Sequence, residues 1–99
     1  MSAGGVPYLM KMPLDEHGEP DFPLIAKWIL PSFDTEPAGK KLLIPAKIED
    51  QDEADWFQGR YMPGATMVVQ KECLGTKFGA SLFMALQELA ADRVRVETL

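Results

Sequence analysis

The chain has a single cysteine, Cys73. It therefore cannot form an internal disulfide, which fits a reducing, cytoplasmic setting. Its first residues, Met1-Ser2-Ala3-Gly4-Gly5, lack the basic and apolar regions of a secretion signal. It also lacks a long apolar run. The longest candidate, residues 22–30, holds Pro23 and Lys27 and falls well short of the ~20 residues that a membrane helix needs. A basic excess is missing too: ten Lys and Arg stand against fifteen Asp and Glu, for a net charge of −5. Such a field repels phosphate backbones and anionic membranes, so neither nucleic acid nor membrane is an expected partner. There is no internal repeat and no low-complexity tract.

The remaining composition is that of an ordinary folded domain. Hydrophobic residues make up 46% and charged residues 25% of 99 positions, which argues for one globular domain over residues 1–99. A chain of this length buries roughly 65% of its unfolded surface and needs no metal to hold a core.

Residues 65–99 are the most legible part. The apolar run 66–71 leads through Cys73-Leu74-Gly75-Thr76 into a long amphipathic stretch, and Val94 and Val96 then alternate with Arg93, Arg95 and Glu97. This reads as strand, turn, helix and strand. Thr76 supplies the helix cap, and Phe78, Leu82, Leu86 and Leu89 form one stripe, widened by Phe83, Ala85 and Ala90.

The first half is read with the same tools. Residues 6–12 place Val6, Tyr8, Met10 and Met12 on one side at period two, as a strand does, and Asp15-Glu16-His17-Gly18 has the chemistry of a hairpin turn returning near Phe22. Residues 22–30 fit both periods. Asp21 and Pro23 suit a helix start, but Ile25, Trp28 and Ile29 suit a pleated surface, and the preceding turn asks for a pairing partner. A strand is expected there. Residues 31–41 form a loop, and residues 42–48 a strand that Pro45 pushes toward a sheet edge. Asp50-Gln51-Asp52-Glu53 has the spacing of a capping box and predicts a short acidic helix over residues 50–58, ended by Gly59.

The expected fold is α+β: a mainly antiparallel sheet of four to five short strands, covered on one face by the helix of residues 76–92, with the acidic helix beside it. Its other face is left to water, the 31–41 loop or another subunit, with Leu9 and Val69 as candidates to line it.

No motif establishes an activity, and none asks for a cofactor. Gly75-Thr76-Lys77-Phe78-Gly79 lacks the Walker spacing. Residues 49–55 are acidic, but an EF-hand loop opening at Asp50 would need Gly and Glu where Asp55 and Tyr61 stand. His17 lies in a turn among Asp15, Glu16 and Glu19, an exposed setting rather than an oriented catalytic one. Trp56, Phe57, Arg60 and Tyr61 cluster large apolar groups with an arginine, the residue types enriched at interface centres. Adjacent rings on a short helix point apart, so one would face away from the core.

The leading reading is a small acidic, non-enzymatic binding module acting through the Trp56/Phe57/Arg60/Tyr61 patch and the Pro45 edge, with a second copy or another protein as partner. A second reading is a small-molecule binder or thiol enzyme with a pocket near Cys73, Gly75 and Thr76, since a thiol near a helix start can be activated. A third is an acidic inhibitor of a nucleic-acid-handling enzyme, acting through Asp50, Asp52 and Asp55.

Overall fold

The computed structural model describes residues 12–46 and 56–97. Two helices, α1 (Phe22–Ile29) and α2 (Lys77–Ala90), accompany the strands β1 (Lys41–Ile44), β2 (Phe57–Met62), β3 (Thr66–Val69) and β4 (Val94–Val96). The strands lie in the order β1-β2-β3-β4. β1 with β2 and β2 with β3 run antiparallel, whereas β4 runs parallel to β3. A parallel neighbour needs a crossover, and α2 supplies it. The fold is α+β, a mostly antiparallel sheet with the C-terminal helix packed on one face.

Strand register decides which side chains share that face. Leu42 stands opposite Gly59 and Ile44 opposite Phe57; Gly59 in turn pairs with Val69, Tyr61 with Met67, and Met67 with Val94. These side chains join Ile25, Ile29 and Phe33 from the N-terminal side, and Phe78, Leu82 and Leu86 from α2, in one buried cluster. Val69 belongs to this covered face and is fully buried, so it does not line the other face. Leu9, its companion in that expectation, lies outside the described residues.

The expected strand over residues 22–30 is a helix. Asp21 caps it by accepting a hydrogen bond from the Leu24 amide at 3.3 Å, and Pro23 sits in the first turn, where a missing N–H costs nothing. Ile25, Ala26 and Ile29 are buried on one stripe while Leu24 and Trp28 stay exposed. Burial of that stripe against α2 decided between two periods that the residues alone left balanced. Pro31 does not stop the chain abruptly, because a 3-10 turn, Leu30–Asp34, continues it and carries Phe33 into the core.

The turn at Asp15 forms as its residues suggest. Asp15 Oδ1 accepts from the amides of His17 and Glu19 at 2.8 and 2.9 Å, Gly18 takes φ +77°, and Leu14 bridges Pro20. The chain then enters α1 rather than a returning strand. Of the strand expected over residues 6–12, positions 6–11 lie outside the described residues.

The acidic helix of residues 50–58 needs correction at its described end. Residues 50–55 lie outside the described residues, but Phe57 and Gln58 open β2, and Gly59 is a strand residue instead of a helix stop. Gly59 has a packing reason: a Cβ there would stand 2.7 Å from Met67 Sδ. Tyr61 and Met62 finish β2, and the chain reverses over Pro63, Gly64 and Ala65. Gly64 and Ala65 both take positive φ, +83° and +58°. Arg93 braces this turn, its Nε donating to the Ala65 carbonyl at 2.8 Å and its Nη2 to Asp34 at 3.0 Å, while the guanidinium lies over the Phe33 ring.

The α2 cap is the expected one, with Thr76 Oγ1 accepting from the Gly79 amide at 3.0 Å. Phe78, Leu82, Ala85 and Leu86 form the buried stripe, but Leu89, in line with them on the last turn of the helix, is 45% exposed. Gly79 lets α2 start hard against the preceding 3-10 turn, Lys71–Gly75: a Cβ at this position would fall 2.0 Å from the Cys73 carbonyl oxygen.

Candidate functional site

Alternation along β2 separates the residues expected to form one patch. Phe57 and Tyr61 point into the covered face and are 0% and 1% exposed, and Trp56 is buried as well. Tyr61 meets Phe33 edge to face at a centroid distance of 6.1 Å. Its hydroxyl lies 3.1 Å from Ser32 Oγ, which gives its own proton to the Ile29 carbonyl at 2.6 Å, so the phenol donates. These rings are core, and the patch of Trp56, Phe57, Arg60 and Tyr61 is not one surface. The expectation placed Trp56 and Phe57 on a helix, where adjacent side chains diverge by about 100°. In a strand the same pair faces opposite sides unless a bend intervenes, and Trp56 sits in such a bend.

Arg60 alone of the four reaches the open face, because it lies one residue out of phase with the two strand rings. Register then brings it company that its local sequence did not announce. Lys41 pairs with Arg60, Arg60 with Val68, and Val68 with Arg95. One row thus crosses the four strands as Lys41, Arg60, Val68 and Arg95. Leu43, Gln58, Met62 and Thr66 flank it on the same face. Lys41 and Arg95 are exposed and Arg60 is half-buried. No carboxylate among the described residues pairs with any of the three cations, and the ion pairs of the described surface lie elsewhere, at Glu36–Lys40, Asp34–Arg93, Glu19–Lys77 and Glu16–His17. No described helix packs on this face.

The neighbourhood of Cys73 is built differently. The thiol is 2% exposed and donates to the Gln70 carbonyl at 3.0 Å, with the Gln58 carbonyl 3.8 Å away. Burial pushes its pKa above the usual 9.0, the reverse of what a nucleophilic thiolate requires. Thr76 spends its hydroxyl on local bonds, accepting from Gly79 and donating to the Cys73 carbonyl at 3.0 Å. Gly75 is exposed, with nothing within 4 Å of where a Cβ would sit. Structure brings these three residues together as a cap and a core plug. A hollow of about 50 Å³ between Gln70, Lys71, Glu72 and Glu97 has room for a water molecule or an ion and not for an organic substrate.

His17 is at the exposed tip of its turn, 3.5 Å from Glu16. Among the described residues no group of three His, Cys, Asp or Glu side chains is placed to hold a metal, and no helix is long and apolar enough to cross a membrane. Asp50, Asp52 and Asp55, the residues of the inhibitor reading, lie outside the described residues. The sequence shows Arg95 alternating with Val94 and Val96, but it places Lys41 in a loop where the structure starts β1, and neither segment reveals the alignment with Arg60. No protein-family model matches the chain, and no curated protein or solved structure matches it significantly.

Proposed function

We propose that the chain is a small non-enzymatic binding module whose working surface is the open face of its sheet, and that a second copy of the chain is its occupant there. The observation that carries this reading is the row Lys41, Arg60 and Arg95 on the sheet face that no described helix covers. Ten cations oppose fifteen carboxylates in the whole chain, and three of the ten stand together in this row. A second copy therefore brings a net excess of carboxylates to a basic row, and such complementarity selects partner and register more than it adds affinity. Leu43, Met62 and Val68, on the same face, supply the apolar contact that charges alone do not.

The thiol-enzyme alternative has less support, because Cys73 is buried and burial raises its pKa. Light scattering over a concentration series tests the module. The expected result is a mass above that of one chain at low salt, returning to one chain when Arg60 becomes Glu or when salt screens the row. A single-chain mass at every concentration and salt overturns self-association.

A further inference from the structure

We infer that the open sheet face takes an acidic polypeptide segment in extended conformation, laid across the strands along the row Lys41, Arg60 and Arg95. This inference rests on the reading of the open face as the working surface and names the chemistry of what occupies it. Neighbouring strands are ~4.8 Å apart, so three steps from Lys41 on β1 to Arg95 on β4 span about 14 Å. An extended chain advances ~3.4 Å per residue with alternate side chains on one side. Carboxylates at its first and fifth residues are then also about 14 Å apart, and a third between them faces the middle of the row. Arg60 and Arg95 can each hold a carboxylate through two parallel N–H groups, a fork that lysine lacks. Val68 stands between the two arginines in the row. With Leu43 and Met62 beside it, it offers contact to small apolar residues spaced among the acids.

The same face argues against a single-stranded nucleic acid, which is also anionic and extended. Sheet surfaces that bind such strands stack bases on outward aromatic rings. Here the sheet's two aromatic residues, Phe57 and Tyr61, are both turned into the core. The net charge of −5 further penalises a long polyanion, whereas a short acidic segment is repelled little beyond ~8 Å at physiological salt.

The probe is a fluorescein-labelled heptapeptide with glutamate at alternate positions and valine between, followed by fluorescence polarisation at dilute protein concentration. A glutamine version and a labelled oligothymidylate of equal length serve as comparisons. The expected result is saturable binding of the glutamate peptide and none of the glutamine peptide. Arg60→Glu and Arg95→Glu should each weaken binding by roughly fivefold, with circular dichroism unchanged. Absent binding, equal binding by both charge-reversed variants, or tighter binding of the oligothymidylate each overturns the inference. Scattering on the same samples separates this from the module itself. Self-association abolished by Arg60→Glu, with no peptide bound, overturns the acidic-segment inference and leaves the open face as an interface. Peptide binding by a protein that stays a single chain upholds the inference and overturns self-association.

Discussion

The two faces of one sheet are built from the same strands and obey different rules. On the covered face, Phe57, Tyr61, Met67, Val69 and Val94 are each at most 2% exposed, and each is held by its neighbours' volume. On the other side of the same backbone, Lys41, Arg60 and Arg95 face away, and what they share is charge and alignment. A side chain on the first face is specified by packing, where a single methylene is felt. One on the second contributes little to folding, so a row of cations there is open to selection for something other than stability.

Substitutions at neighbouring positions of β2 should separate the faces most sharply. Phe57→Ala removes a fully buried ring and should cost about 3–5 kcal/mol in urea unfolding. Arg60→Glu, on the opposite side, should change stability by no more than about 0.5 kcal/mol. A comparable loss at Arg60 would mean that the open face is structural after all. Gly79→Ala is the next largest effect, about 3 kcal/mol, because its Cβ would meet backbone, the Cys73 carbonyl oxygen at 2.0 Å, with no flexible side chain to yield. Gly59→Ala should cost less than Gly79→Ala, since there the obstacle is the mobile Met67 thioether. A smaller gain is expected from Ala65→Gly, about 1 kcal/mol, by relieving the left-handed conformation at φ +58°; thermal melting checks it.

Two titrations sharpen the contrast at the level of single groups. Burial raises the Cys73 pKa. The stability associated with its neutral thiol is complete below the ordinary value of 9.0 and is lost as pH rises through the raised value. Labelling of Cys73 by a disulfide reagent at pH 8 should therefore track unfolding by denaturant, and fast labelling of the native chain would contradict its place in the core. Asp15 behaves oppositely and on the surface. The Glu19 backbone amide first, and the His17 amide with it, hold its carboxyl below the ordinary 3.8. The turn's stabilisation is present above that ordinary value and is lost as pH falls through the lowered one. Protection of the His17 and Glu19 amides, measured against their intrinsic exchange rates, should fall over that acid range, with the protection of the core amides retained.

Much of the fold was legible where one period dominates. Thr76 as cap, the Phe78-Leu82-Leu86 stripe and the Val94/Val96 alternation are local signals, and the structure bears all three out. Residues 22–30 were not legible, because Leu24, Ile25, Trp28 and Ile29 satisfy a helical and an extended period alike, and only the surface offered by α2 breaks the tie. Phe57 and Gln58 were misread for a related reason: the capping-box spacing upstream suggests a helix whatever follows it, whereas strand pairing with Leu43 and Ile44 is a contact between distant residues. The basic row was legible only in fragments. Lys41, Arg60 and Arg95 are far apart in the chain, and each is an ordinary charged residue in its own segment.

By itself the sequence determined the class of the fold, the C-terminal strand-helix-strand unit, the turn at Asp15 and the acidic net charge. Those depend on composition and on spacings within a few residues, which physical chemistry converts directly into local structure. Tertiary structure alone decided that α1 is a helix, that Trp56, Phe57 and Tyr61 are core, and that three cations from three strands stand in one row. A strand's alternation tells which residues share a side, but the register between strands, set by long-range pairing and the burial it permits, tells which of them meet.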